Sequence, residues 1–177
     1  IGLCLVGSEM CIRDSSNTVE LAEGFTDRDK FEFIELMNRG TQSINLSGVK
    51  FIDGVTFNFS TAEIRALDPG ARVLIVKSVA AFEERYGNSF SSQIAGEYSG
   101  NLSNDGELIT LVDATGTNIL SFTYNDQSPW PEEPDGDSYT VVLINPIGPP
   151  IPEHGDPANW RASCLLYTSP SPRDRVQ

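Results

Sequence analysis

Cysteine is missing from the middle of this chain. Its three cysteines are Cys4, Cys11 and Cys164, so residues 12–163 hold none. That stretch can build neither a disulfide framework nor a thiolate metal site. Histidine is almost as scarce: His154 is the single one in 177 residues. Any imidazole chemistry therefore rests on one position in a proline-rich loop. Basic residues are few as well. Lys and Arg number 12 against 25 Asp and Glu, for a formal charge of −13. That balance repels phosphate backbones and argues against nucleic acid as a partner. It favours solubility and attracts cations or basic partners. No apolar run is long enough to span a bilayer. There is no Gly-rich phosphate loop, no Walker motif and no GxGxxG.

The two ends stand in an odd relation to one another. Permitted codons for Leu5–Ser15 and for Cys164–Asp174 are reverse complements over nearly their whole length. Nothing in protein folding produces that relation, and the string is similar to a transposase sequencing adapter read in both orientations. Residues 1–15 and 164–177 are therefore expected to be adapter-derived and to add nothing to the fold. The rival reading is a leader, but it lacks a basic start and a small-residue cleavage site. Residues 16–163 then form one domain with one hydrophobic core. Its ends are expected to be cuts, with any targeting signal lost. The charges in the tails cancel, so the whole −13 belongs to this domain.

The rest of the domain is organised around Phe31–Gly48. Phe31–Met37 carries apolar residues on both alternating faces, which predicts a central strand. Asn38, Arg39 and Gly40 close a turn, and Ile44 and Leu46 form a short inward pair. Upstream, Asn17–Glu20 reads as a weak capping box opening a short helix over Thr18–Glu23. Downstream, Asp53-Gly54 between alternating runs is a hairpin signal, with Val55, Phe57 and Phe59 on one face. Pro69-Gly70 marks a turn. Arg72–Lys77 is a buried strand. Ser78 caps a helix over Val79–Tyr86 that Gly87 ends, and its apolar face should dock on the sandwich edge. Ile94–Tyr98 is weakly extended. Asp113–Gly116 joins strands Glu107–Val112 and Asn118–Tyr124. Ser138–Asn145 is a further strand, and Asn159–Ser163 closes the module. Short strands with frequent turns predict an all-β, immunoglobulin-like antiparallel β-sandwich with one or two short connecting helices. Helical crossovers of the kind that join parallel strands are not expected.

These residues resemble the lamin tail domain. The pattern is an acidic-aromatic strand, an Asn-x-Gly turn and an Asn-Leu-Ser-Gly step. Here they are Phe33-Ile-Glu-Leu36, Asn38-Arg-Gly40 and Asn45-Leu-Ser-Gly48. Leu67-Asp-Pro-Gly70 and Leu102-Ser-Asn-Asp-Gly-Glu107 add to it, and Asn159-Trp-Arg161 is similar to the close of this module in large bacterial surface proteins. The resemblance implies a non-enzymatic docking or spacer domain of a larger bacterial secreted or cell-surface protein. It also implies a further strand upstream of Thr18, which is expected to be truncated here and to leave an open sheet edge; the adapter-derived apolar run Ile1–Val6 could be drawn into that gap, a pairing that would carry no biological meaning. The alternatives are a carbohydrate-binding module, or an accessory domain of an exported enzyme such as a spore-coat-type kinase protein. Partners would be a protein or a cell-surface glycan.

Few side chains stand out for chemistry. His154 lacks the fixed scaffold and orienting carboxylate of a catalytic triad and reads as a solvated loop residue. No spacing singles out a carboxylate pair for glycoside hydrolysis. No catalytic residue and no required cofactor is therefore expected. Asp126, Glu132, Glu133, Asp135 and Asp137 crowd one loop, and several such oxygens are what calcium wants, although the spacing is not that of an EF-hand. Trp130, in Ser-Pro-Trp-Pro beside that loop, could stack on a sugar or anchor a protein partner if exposed; burial at one end of the sandwich is the favoured reading. Trp160 reads as a plug for the last strand.

Overall fold

Runs of β-branched and aromatic residues broken by Gly, Pro, Asn and Asp favour short strands. The computed structural model describes residues 3–8, 24–131, 140–147 and 152–163. The strands are β1 (Leu3–Ser8), β2 (Phe33–Asn38), β3 (Ile44–Asn45), β4 (Lys50–Asp53), β5 (Phe57–Asn58), β6 (Ala66–Leu67) and β7 (Arg72–Val76). After helix α1 (Val79–Tyr86) come β8 (Ile94–Glu97), β9 (Leu108–Val112), β10 (Asn118–Thr123), β11 (Thr140–Leu143) and β12 (Trp160–Ser163). One sheet runs β12-β11-β1-β2-β7-β8, a second runs β10-β9-β4-β5, and β3 pairs with β6 in a small ribbon. This is the expected sandwich.

The core fills the space between the sheets. Ile34, Leu36, Val73, Ile75, Val141 and Leu143 of the larger sheet meet Phe51, Phe57, Ile109, Leu111, Leu120 and Phe122 of the smaller. Alternation along β2 sends Phe33 the other way, where it joins Leu74, Val76, Ile94 and Phe82. All six residues of β2 are buried, as a central strand requires. Its last residue, Asn38, turns the chain. The Asn38 side-chain amide donates to the Leu67 carbonyl at 2.7 Å and the Gln42 carbonyl at 2.9 Å, and its Oδ1 accepts the Gly40 N–H at 2.8 Å. Asp113 performs the same service in the β9–β10 hairpin. It accepts the Thr115 hydroxyl at 2.7 Å and the N–H groups of Thr115 and Thr117 at 2.8 and 3.0 Å. Those bonds, that from the Thr115 hydroxyl first, hold its carboxyl below the usual range.

Two features depart from the sequence reading. Helix α1 begins where Ser78 Oγ accepts the Ala81 N–H and ends at Gly87, φ 78°. It lies on the outer face of β2, β7 and β8 and not on the sandwich edge. The Phe82 and Tyr86 rings stand 5.3 and 5.8 Å from that of Phe33, edge to face. The cause is β7, whose continuous apolar run needs cover on both faces. Second, β7 and β8 run parallel, with Leu74 opposite Ile94 and Val76 opposite Glu97. With the 3-10 turn Asn88–Gln93, α1 makes the helical crossover that was not expected. Glu97 Oε1 ties it down by accepting the Val79 N–H at 2.7 Å. The other described strand pairs are antiparallel.

Leu3–Ser8, read as adapter-derived, occupies the gap foreseen for the run Ile1–Val6 and lies within the larger sheet. It pairs antiparallel with β2 on one side and β11 on the other. The expected Thr18–Glu23 turn and the C-terminal tail 164–177 lie outside the described residues.

Candidate functional site

The end of the sandwich that carries Trp130 was singled out by sequence, and an aromatic cluster forms there. β10 turns Phe122 inward, and β12 starts with Trp160 directly after the 3-10 turn Pro157–Asn159. Phe122 stacks on Trp160 at 5.7 Å and 21°. Trp130 lies 5.9 Å from Trp160, and both tryptophans are buried. The Trp130 ring therefore packs into the core and leaves little surface to stack on a sugar. Trp160 Nε1 donates to the His154 carbonyl at 2.8 Å, which settles the one polar group of a buried indole.

His154 belongs to the same cluster. Its ring centroid is 5.4 Å from Phe122 and 6.0 Å from Trp160, and it is half-buried instead of solvated. Burial, helped by the nearby positive charge of Arg39, pushes its pKa down from 6.5 to about 4. The imidazole is neutral at pH 7 and a weak base, poorly matched to proton transfer. Of the calcium candidates, only Asp126 is described, half-buried beside the Asn125–Gln127 turn. Glu132, Glu133, Asp135 and Asp137 lie outside the described residues. Among the described residues no three His, Cys, Asp or Glu side chains group as metal ligands.

A second cluster, at the end of β8, was not anticipated. Glu32 precedes β2, and its buried Oε2 accepts the Tyr98 hydroxyl at 2.9 Å and the Leu102 N–H at 3.0 Å. Burial pushes its pKa up to about 7 against the pull of those two bonds. Burial and the neighbouring Glu32 raise the Tyr98 phenol in turn. Above them Lys77 donates to Asn101 Oδ1 at 2.5 Å and to the Gly100 carbonyl, and Asn101 donates to Asp29 at 2.6 Å. Tyr124 repeats the theme nearby, donating to the Ser103 carbonyl at 2.8 Å and to Glu107 at 3.0 Å. A second buried carboxylate, Glu35, pairs with Arg72, and burial raises its pKa although Arg72 opposes.

A family model, that of the lamin tail domain, matches residues 13–126, more than half of the chain. The chain belongs to this family. Among curated proteins none matches it. Within the lamin tail domain the family-like residues are those that hold strands together. Asn38 of the Asn-x-Gly turn bridges β2 to β6, and Asn45 accepts the Ser47 N–H at 2.8 Å in the Asn-Leu-Ser-Gly step. Glu107, at the end of the Asn-x-Gly-Glu step, accepts the Ser103 N–H at 2.8 Å and the Tyr124 hydroxyl at 3.0 Å. The matched residues stop before β11 and begin after β1, although both strands lie in the larger sheet. Glu32 could have been suspected from sequence only as one of two acids, with Glu35, in the mostly apolar stretch Phe31–Met37. Its partners, 66 and 70 residues away, leave no local signal.

Proposed function

We propose that this lamin tail domain is a non-enzymatic docking or spacer module of a larger bacterial protein, secreted or held at the cell surface, with another protein as its partner. One observation carries the reading. The buried ionisable groups serve as fasteners: Glu32 joins the start of β2 to the end of β8, Glu35 joins β2 to β7, and His154 packs against Phe122 and Trp160. His154 is too weak a base for proton transfer at pH 7, and Glu32, although its pKa lies near 7, is buried with Oε2 taken by Tyr98 and Leu102 and so is withdrawn from any substrate. The burial of Trp130 disfavours the carbohydrate-binding alternative. No helix among the described residues is long and apolar enough to cross a membrane. The test is a fluorescence titration of the full chain against a glycan panel, with the tryptophans as reporters, beside a panel of chromogenic hydrolase substrates. Unshifted emission and no turnover are expected. A saturable shift with any glycan, or turnover of any substrate, would overturn the proposal.

A further inference from the structure

Lys77, Asn101 and Asp29 come from three separate parts of the chain and meet above the Glu32 knot. Lys77 follows directly on β7, Asn101 lies in the connection from β8 to β9, and Asp29 belongs to the 3-10 turn Arg28–Phe31. The Asn101 carboxamide is held at both ends. Its Oδ1 accepts from Lys77 Nζ at 2.5 Å, and its Nδ2 donates to Asp29 Oδ2 at 2.6 Å. Lys77 Nζ is held from a second side by the Gly100 carbonyl, and the centre of the Tyr98 ring is 5.9 Å from it. A primary amine, a carboxamide and a carboxylate are thus in contact in that order. Chemically they are a nucleophile, an acyl carbon and a proton carrier beside the nitrogen that would leave.

The backbone around this contact is pinned. The Lys77 N–H donates to the Glu32 carbonyl at 2.8 Å, and Glu32 Oε2 accepts the Leu102 N–H at 3.0 Å. One buried residue therefore fixes the chain both at Lys77 and next to Asn101. The Tyr98 N–H donates to the Val76 carbonyl at 2.9 Å and holds the end of β8 against the end of β7. An amine and an acyl carbon that met only by chance would have to lose backbone and rotamer freedom before reacting. Here much of that freedom is already lost on folding, and well-oriented intramolecular pairs reach effective concentrations of about 10⁵ M or more.

We propose that Lys77 and Asn101 form a covalent cross-link, an isopeptide amide between Nζ and Cγ that the fold itself makes, with Asp29 carrying the proton. Once the ammonium has given up a proton, Nζ adds to Cγ, and the carbonyl oxygen takes the negative charge. The adduct then collapses: the Nζ–Cγ bond is kept and the Cγ–Nδ2 bond breaks. Asp29 passes a proton shed by Nζ to Nδ2, which leaves as ammonia and becomes ammonium at neutral pH. One ammonium side chain and one carboxamide thus give one secondary amide and one ammonium ion. Atoms and charge balance, and no oxidant or cofactor is needed. The bond ties the end of β7 to the β8–β9 connection. It forms once per chain with no external substrate, so it stands or falls apart from the docking proposal and its glycan and turnover tests.

The experiment follows the intact mass and the tryptic peptides of the full chain over days, at about pH 7 and about pH 9, where more of a lysine amine is neutral. A species lighter than the sequence mass by one ammonia is expected, accumulating faster at the higher pH. Its digest should hold one branched peptide that joins Lys77 to Asn101, with trypsin failing to cut after Lys77. Lys77→Arg keeps the charge and the donors but offers no nucleophile, and should stay at full mass. Asp29→Asn should slow formation at least about tenfold. The chain held unfolded in guanidinium chloride should also keep its full mass. A folded chain that stays at full mass at both pH values overturns the proposal. So does a loss of ammonia that survives Lys77→Arg, because that loss is an asparagine closing on its own backbone. An Asp29→Asn chain that reacts as fast as the parent, or a branched peptide formed equally in guanidinium chloride, overturns it too.

Discussion

Replacing Glu32 by Gln should change how the stability of the domain depends on pH. In the fold its carboxyl titrates at about 7, against an ordinary value of 4.5. Between those values the folded state binds more protons than the unfolded one, so stability falls as pH rises. The loss reaches about 3 kcal/mol once pH exceeds 7. His154 acts in the opposite sense. Its pKa is lowered from 6.5 to about 4, so its contribution grows as pH rises through that window. The two slopes largely cancel from pH 4.5 to 6.5, while Glu35, also raised, tilts the balance toward lower pH. Gln keeps an oxygen to accept from Tyr98 and Leu102 but carries no charge. Glu32→Gln should therefore gain on the parent with rising pH, by about 3 kcal/mol between pH 4 and pH 8. At about 3 °C per kcal/mol for a chain of this size, the relative midpoint moves by about 10 °C. Urea denaturation at half-unit pH steps measures the difference directly. Parallel pH profiles for the two proteins would show that Glu32 is not held neutral by burial, and the reasoning would fall.

Ile34 is fully buried in β2. Ile34→Asp should cost about 4 kcal/mol or more, and an unchanged denaturant midpoint would show that β2 is not core. Gly106 has φ 87°, and a Cβ there would meet the Tyr124 carbonyl oxygen at 2.3 Å. Gly106→Ala should therefore cost at least about 2 kcal/mol. Gly70, φ 75° with nothing within 4 Å, isolates the backbone part: Gly70→Ala should cost about 1 kcal/mol. Equal midpoints for the two glycine variants would refute the contact argument. Trp160→Ala removes the ring between Trp130 and Phe122 and should cost about 3–5 kcal/mol with a red shift of the Trp130 emission; unmoved emission would place Trp130 elsewhere.

What was legible in the sequence was local. The cap at Ser78, the hairpins at Asp53-Gly54 and Asp113–Gly116 and the doubly apolar β2 each depend on residues within a few positions of one another. The parallel pairing of β7 with β8 was not legible, because the helix between them is short and reads equally well as a surface connection. His154 looked solvated because its neighbours in sequence are Pro, Glu, Gly and Asp. Its neighbours in space are Phe122 and Trp160, which only the pairing of distant strands brings there. Trp130 could be placed at one end of the sandwich, but its contact with Trp160 rests on the β11–β12 pairing. The Glu32 knot was hidden for the same reason: a carboxylate beside Phe33 says nothing of a tyrosine 66 residues on.

The direction of the first and last described strands in the chain decides how the domain would carry a load. β1 and β12 are both antiparallel to β11, which lies between them, so they run parallel to each other. Ser8 sits level with Ala162 through Val141, and Leu3 lies away from Ser163 along the strand direction. Tension applied at Leu3 and Ser163 therefore acts along the strands and across the ladder bonds, loading them together in shear. Pulling on two adjacent antiparallel ends would instead peel bonds one at a time. A spacer strung between other domains would, by this arrangement, yield at a high force and all at once, and the weakest line is the short β1–β11 seam.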